Sequence, residues 1–204
     1  MIRHHPAETT LFACAAGTLP AAHAEVIRVH AALCPACAAG LALAEAAGGV
    51  LLEALAPTAM AEDALARTLA RLDHVVPAPA PAPARFDVAA LASGRWRRVA
   101  PGIAMMPLLR RDATDSRLDL IRVAPGRALL SHGHSGAETT CVLAGTFSDE
   151  TGDYGFGDCM ETDTALAHQP RARGEEECIC LIAVTHHLQP KSWLGRLVRP
   201  LLGM

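Results

Sequence analysis

The segment His30 to Cys37 places an imidazole and two thiols at H-x3-C-x2-C spacing. Two thiolates separated by two residues can bite one tetrahedral Zn2+, and a histidine one helical turn upstream presents its ring on the same side. Pro35 predicts a helix start that makes Cys34 the N-cap and puts Cys37 in the first turn, where the helix dipole and free N–H groups favour thiolate over thiol. A structural site needs a fourth ligand, and the candidates are His4, His5, Cys14 and His23. His23 precedes His30 on the same helix but sits about 10 Å up the axis, too far to share one ion. His5 or His4 must then arrive from the amino-terminal segment, closing a loop through the metal that ties the first helix to the second and third. The plainer alternative makes Cys34 and Cys37 small buried hydrophobes and His30 a helix-end residue. The histidine at the correct turn favours the metal.

A second set lies between Gly126 and Gly145, which reads G-x5-H-x-H-x3-E-x6-G. In a strand, residues two apart share a face, so His132 and His134 project side by side into a barrel. Glu138 returns on the next strand and His168 arrives from a facing hairpin. Three imidazoles and a carboxylate suit Zn2+, Mn2+, Fe2+ or Ni2+. The competing acids Glu161 and Asp163 match no ligand spacing, and the glycines flanking the set argue against a surface HGH turn beside an unrelated acid.

These ligands call for two kinds of scaffold. Residues 1–75 are rich in Ala and Leu at helical spacing. Helices are predicted from about Ala7 to Ala16, from Pro20 with Val26, Val29 and Leu33 on one stripe, from Ala36 to about Ala47 ending at Gly48-Gly49, and from about Ala61 to Leu72 with Leu65, Leu69 and Leu72 aligned. The run Val76 to Arg85, VPAPAPAPAR, favours extended polyproline II and forms a semi-rigid spacer. Residues 86–204 hold short β-type runs at Arg95 to Val99, Ile103 to Leu109, Leu118 to Val123, Thr139 to Phe147, Cys159 to Thr162 and Cys178 to Val184, separated by Gly, Pro and Asp clusters. That pattern predicts an antiparallel sandwich or barrel. Trp193 to Leu202 suits either a short helix or a strand. The expected fold is multidomain: an all-α bundle at 1–75, a linker at 76–85 and an all-β domain at 86–204.

Hydrophobic residues make up 51% of the 204 residues but aromatics only 3%, so Ala, Leu and Val must fill a core thin enough for metal to add stability. A net charge of -3 disfavours direct nucleic-acid binding. Met1 to Glu8 lacks the basic start and apolar core of a signal peptide. The apolar stretch Ala31 to Pro57 is interrupted by Pro35, Gly40, Glu45, Gly48, Gly49 and Glu53, which argues against a continuous membrane-spanning helix. A cytoplasmic location is expected, where seven Cys are metal ligands, buried thiols or redox sensors rather than a disulfide framework.

Taken in order along the chain, these motifs resemble the ChrR-type anti-sigma factors. The amino-terminal half carries Arg3-His4-His5, then AAGTL at Ala15 to Leu19, then His30, Cys34 and Cys37. The second half carries HGH-x-G-x-E at His132 to Glu138, GTF-x-DET at Gly145 to Thr151, G-x-GD at Gly155 to Asp158, H-x-P at His168 to Pro170 and CICL at Cys178 to Leu181. The resemblance spans nearly the whole chain apart from the linker and residues 86–115.

It implies a zinc-binding helical domain that clamps an extracytoplasmic-function sigma factor and keeps it off RNA polymerase, and a carboxy-terminal cupin needed for release when singlet oxygen or related oxidants appear. It implies a first zinc on His5, His30, Cys34 and Cys37, a second divalent metal on His132, His134, Glu138 and His168, and Cys178 with Cys180 as a family thiol pair. Cys14 stands where the family usually has an aromatic. The Asn that follows the last ligand histidine in many cupins is missing, which weakens an enzyme-like reading. No catalytic residue or organic cofactor is expected, and the partner is a sigma factor rather than nucleic acid or membrane. The competing expectation is a cupin metalloenzyme of dioxygenase or isomerase type with a helical interaction domain. Cys178 and Cys180 alternate with Ile179, so both sulfurs face one side of a strand, where core packing is their plainer role. His186 and His187 are expected at the surface.

Overall fold

A computed structural model describes residues 1–72, 95–163, 167–186 and 188–190, with the backbone alone for His134 and for 188–190. The expected spacer at 76–85, His187 and the segment Trp193 to Leu202 lie outside the described residues. Four helices come first: α1 (Glu8–Ala15), α2 (Ala21–Leu33), α3 (Pro35–Glu53) and α4 (Ala64–Leu72). Pro20 caps α2, and Cys34 caps α3 with Pro35 at its first position, as the spacing predicts.

Helix α3 departs from expectation. It runs through Gly48-Gly49 to Glu53, so the anticipated break in the apolar stretch is absent. A glycine costs only about 1 kcal/mol against alanine inside a helix, and the Ala and Leu residues on either side outweigh two of them. The helix has 19 residues and contains an 18-residue window of mean hydropathy 1.6, long and apolar enough by length and composition to cross a bilayer. Cys37 is its one buried residue.

The second half forms β1 (Arg97–Ala100), β2 (Ile103–Leu109), β3 (Ser116–Val123), β4 (His132–His134), β5 (Glu138–Ala144), β6 (Thr146–Asp149), β7 (Gly152–Tyr154), β8 (Cys159–Thr162), β9 (Ala167–His168), β10 (Arg171–Arg173), β11 (Cys178–Thr185) and β12 (Leu188–Pro190). Pairing is antiparallel in a six-stranded sheet of order β1-β2-β3-β11-β5-β8 and in two three-stranded sheets, β10-β6-β7 and β12-β4-β9. The run expected as one strand from Thr139 to Phe147 is split at Gly145. This residue has φ 65, and an added Cβ would meet the Glu177 carbonyl oxygen at 2.5 Å, so the chain turns there and only glycine fits.

The inner strands β3, β11 and β5 of the large sheet are buried on both faces. Ile121, Val123, Val142, Cys178 and Cys180 point inward to Phe147, Tyr154 and Ala172 of the β10-β6-β7 sheet. The alternate residues Leu118, Leu120, Cys141, Leu143, Leu181 and Ala183 pack against Ala22, Val26 and Val29 of α2. Period-two alternation therefore serves two apolar surfaces, which is why β11, CICLIAVT, reads as a nearly continuous apolar run. The buried His23 of α2 is satisfied at this seam, with its ring nitrogens 2.8 Å from the Thr139 hydroxyl and 2.8 Å from the Thr185 hydroxyl.

Candidate metal centres

In the amino-terminal centre, His5, His30, Cys34 and Cys37 bring their ligand atoms within 4.8 Å of one another. His30 Nε2 lies 3.3 Å from Cys37 Sγ, and His5 Nδ1 lies 3.4 Å from Cys34 Sγ and 3.4 Å from Cys37 Sγ. Bond lengths of about 2.3 Å to sulfur and 2.0–2.1 Å to nitrogen give a zinc tetrahedron S–N edges of about 3.5 Å, so the donor set fits Zn2+. The other candidates are turned elsewhere. His4 sets Nε2 at 3.1 Å from the Asp153 carbonyl oxygen and its ring at 4.5 Å from Tyr154. Cys14 packs with Ala24, Ile27 and Cys159, and His23 belongs to the sheet seam.

The electrostatics qualify one expectation. Burial, reinforced by the neighbouring Cys34 sulfur, pushes the Cys37 thiol up to about 11, so desolvation outweighs the helix dipole and a cation must displace the proton. His30 is buried and its pKa is lowered by that burial, which keeps the ring neutral and able to ligate. Its Nδ1–H donates to the Gly157 carbonyl at 2.7 Å, which fixes the tautomer and aims the Nε2 lone pair at the cluster.

In the candidate cupin centre, His132 and His168 are opposed across β4 and β9 with ring centroids 4.7 Å apart, and the buried Glu138 opens β5. His134 shares β4, but its side chain lies outside the described part of the structure. His132 Nδ1 donates to the Leu130 carbonyl at 2.7 Å, and His168 Nδ1 sits 2.7 Å from Asp149 Oδ2. These contacts occupy Nδ1 of both rings and leave Nε2 as the atom that could hold a cation, the pairing that metal-bound histidines typically show. Burial raises Glu138 to about 7 and lowers His132. Burial also depresses His168, but the Asp149 hydrogen bond and the Glu138 charge outweigh it and leave its pKa raised. This donor chemistry suits a borderline divalent cation.

A cavity of about 680 Å³ adjoins His132 and Glu138. Cys178 and Cys180 line it with sulfurs 3.6 Å apart. Its hydrogen bond with Cys178 and its burial both raise Cys180 well above an ordinary thiol, so at neutral pH it is a protonated thiol rather than a thiolate nucleophile.

Sequence reasoning missed three positioning groups: Asp149, the Leu130 carbonyl and the Gly157 carbonyl. Asp149 had a signal in its GTF-x-DET motif, whereas backbone carbonyls have none. Glu161, set aside as a ligand, binds the start of α1 instead, accepting the Ala7 N–H at 2.6 Å and the Thr10 hydroxyl at 2.6 Å. His186 is exposed as expected, with Nδ1 at 3.0 Å from Asp115 Oδ2.

Comparison with known proteins places this arrangement. The family described as ChrR Cupin-like domain matches residues 85–188. The anti-sigma-E factor ChrR of Cereibacter sphaeroides is 39% identical over 210 aligned positions, covering 98% of this chain and 97% of that protein. The crystal structure of Rhodobacter sphaeroides SigE in complex with the anti-sigma ChrR superposes with a TM-score of 0.80 at 39% identity, covering 90% of this chain and 99% of that one. An RmlC-like cupin protein of Ralstonia eutropha JMP134 gives a TM-score of 0.45 at 14% identity, covering 50% of this chain and 70% of that one. With that identity sustained from end to end, the chain belongs to the ChrR family.

Proposed function

We propose that this chain is an anti-sigma factor acting in the cytoplasm. In this reading residues 1–75 sequester an extracytoplasmic-function sigma factor, and the cupin at 86–204, joined through the linker at 76–85, releases it in response to oxidants such as singlet oxygen. The observation that carries the reading is the near full-length similarity to an anti-sigma factor solved in complex with SigE.

The helices supply a suitable surface. Leu65, Leu69 and Leu72 of α4 are 68%, 53% and 64% exposed on one stripe, and Leu43, Val50, Leu51 and Leu52 of α3 are also exposed. Such stripes suit docking into a groove of a partner protein. The same surface argues for α3 as a partner face rather than a bilayer span, because its first turn is tied to the buried thiols and it packs on α1 and α2.

Zinc on His5, His30, Cys34 and Cys37 would supply a cross-link between the amino-terminal segment and the helices. A zinc or other divalent cation (Mn2+, Fe2+, Ni2+) on His132, His134, Glu138 and His168 would make the cupin the sensing half, with the Cys178/Cys180 pair in the same cavity. A hundredfold fall in affinity needs about 2.7 kcal/mol of differential binding. In this reading the chain is not an enzyme. The cavity beside His132 and Glu138 favours one second reading, a cupin metalloenzyme with a helical interaction domain. Co-expression with sigma factors of the same genome, pull-down and metal analysis separate the two. A stable sigma complex with zinc retained supports the first, while turnover of a small molecule with oxygen uptake and no sigma complex supports the second.

A further inference from the structure

We infer that the β7–β8 turn, Gly155 to Asp158, is a latch through which the cupin sets the geometry of the amino-terminal metal centre. The inference rests on reading His5, His30, Cys34 and Cys37 as one centre. His5 lies in a segment outside any helix, and cupin atoms hold the chain on both sides of it. Asp158, 2% exposed, accepts the Arg3 N–H at 2.6 Å and the His4 N–H at 3.0 Å on Oδ1, and the Gly155 N–H at 2.8 Å on Oδ2. Burial would raise its pKa, but these N–H groups hold it below the usual range, so the carboxylate stays ionised. The Cys159 N–H donates to the His4 carbonyl at 3.0 Å, and the Ala7 N–H donates to Glu161.

The second imidazole depends on the same turn. His30 donates to the Gly157 carbonyl, and Gly157 has φ +83 with the Ile2 side chain so close that an added Cβ would lie 2.7 Å from Cδ1. Both nitrogen ligands are therefore positioned by the cupin, whereas both sulfurs come from the start of α3. The turn is in turn bonded to β5: the Gly157 N–H donates to the Val142 carbonyl at 2.8 Å, and the Val142 N–H donates to the Asp158 carbonyl at 3.0 Å. Strand β5 begins at Glu138, and Val142 is the register partner of Cys180 on β11. A rearrangement at the cupin ligands or the thiol pair thus reaches His5 and His30 through a few backbone bonds, independently of the linker. Coupling of this kind is reciprocal: metal at one end must stabilise the latch, and the latch must tighten the metal.

The test uses the full chain with no sigma factor, so its failure is distinguishable from failure of the anti-sigma reading. The sulfur-to-Co2+ charge-transfer band reports the thiolate centre alone, and Zn2+ displacement of that band gives relative affinity. Asp158→Ala is expected to weaken binding 10–100-fold, the range for loss of a group that orients a ligand. The charge-transfer band should persist while the d–d bands shift as His5 leaves. Asp153→Ala keeps the carbonyl that Arg3 and His4 use and should stay within twofold. Unchanged affinity and an unchanged d–d spectrum in Asp158→Ala would overturn the latch, and no thiolate–Co2+ band in the unmodified chain would overturn it together with the metal reading. Should Asp158→Ala not fold, amide exchange decides. Zn2+ should slow the Cys159 and Val142 amides in the unmodified chain but not in Cys34→Ala, and equal protection in both would refute the coupling.

Discussion

The two centres are built in opposite ways. The candidate cupin centre draws its described donors from strands, and the side chains of His168 and its partner Asp149 are both fully buried. The amino-terminal centre draws one ligand from an irregular segment, one from the end of α2 and two from the start of α3, and its His5 is exposed. The first set of donors lies on strands alone; the second gathers donors from three elements, where a cation would act as a cross-link. Under the proposed function, such a cross-link would couple the cation to the shape of the helical domain.

The sharpest way to break that contrast is to remove one ligand from each side. Cys34→Ala or His30→Ala should lower zinc affinity of the amino-terminal centre by at least about a thousandfold, out of the roughly 10–16 kcal/mol that structural zinc sites supply, and abolish sigma binding in a pull-down. His132→Ala or Glu138→Ala should leave sigma binding intact and blunt oxidant release in a reporter assay. Sigma binding lost in those variants would dissolve the division of labour. Next in size, a triple Leu65→Ser, Leu69→Ser, Leu72→Ser change should weaken partner affinity at least about a hundredfold, with stability within about 0.5 kcal/mol per site because these positions are exposed. Calorimetry should then show little change in Tm.

Smaller effects sharpen the electrostatics. Asp149→Asn should cost the cupin centre about 10–100-fold in metal affinity by releasing the His168 ring, read by competition titration in a Cys34→Ala background. Glu138 carries a folded pKa of about 7, raised from 4.5, so in the metal-free chain its stabilising proton is fully present below pH 4.5 and is lost as pH rises through 7. That difference corresponds to about 3 kcal/mol. Denaturation of the metal-free chain from pH 5 to 8 should show stability falling, and Glu138→Gln should flatten the slope. At the small end, Arg28→Ala removes an exposed 3.5 Å pair with Glu25 and should shift stability by less than about 0.5 kcal/mol in the same denaturation assay.

The contrast also explains what could be read from the sequence. The strand positions of His132, Glu138 and His168 were legible because strand periodicity and turn glycines report local geometry, and Cys34 with Pro35 and Cys37 because a helix start does the same. The choice of His5 over His4 was not legible from spacing alone. It depends on Asp158 holding the His4 backbone while Asp153 and Tyr154 take the His4 ring, contacts more than 140 residues away in sequence. The end of α3 was misread because the two glycines were treated as a stop when their cost is small beside a long Ala and Leu run. The strand break at Gly145 went unseen because the close Glu177 carbonyl, which leaves room for no side chain there, lies on a distant segment.

The measurement that bears most directly on the account is sigma binding by the full chain before and after removal of zinc from the amino-terminal centre, with the cupin variant His132→Ala treated in parallel. Binding should fall by at least about a hundredfold on stripping in both chains and return when one equivalent of Zn2+ is restored. A stripped chain that still holds its sigma factor within threefold of the loaded one would contradict the claim that the metal makes the clamp.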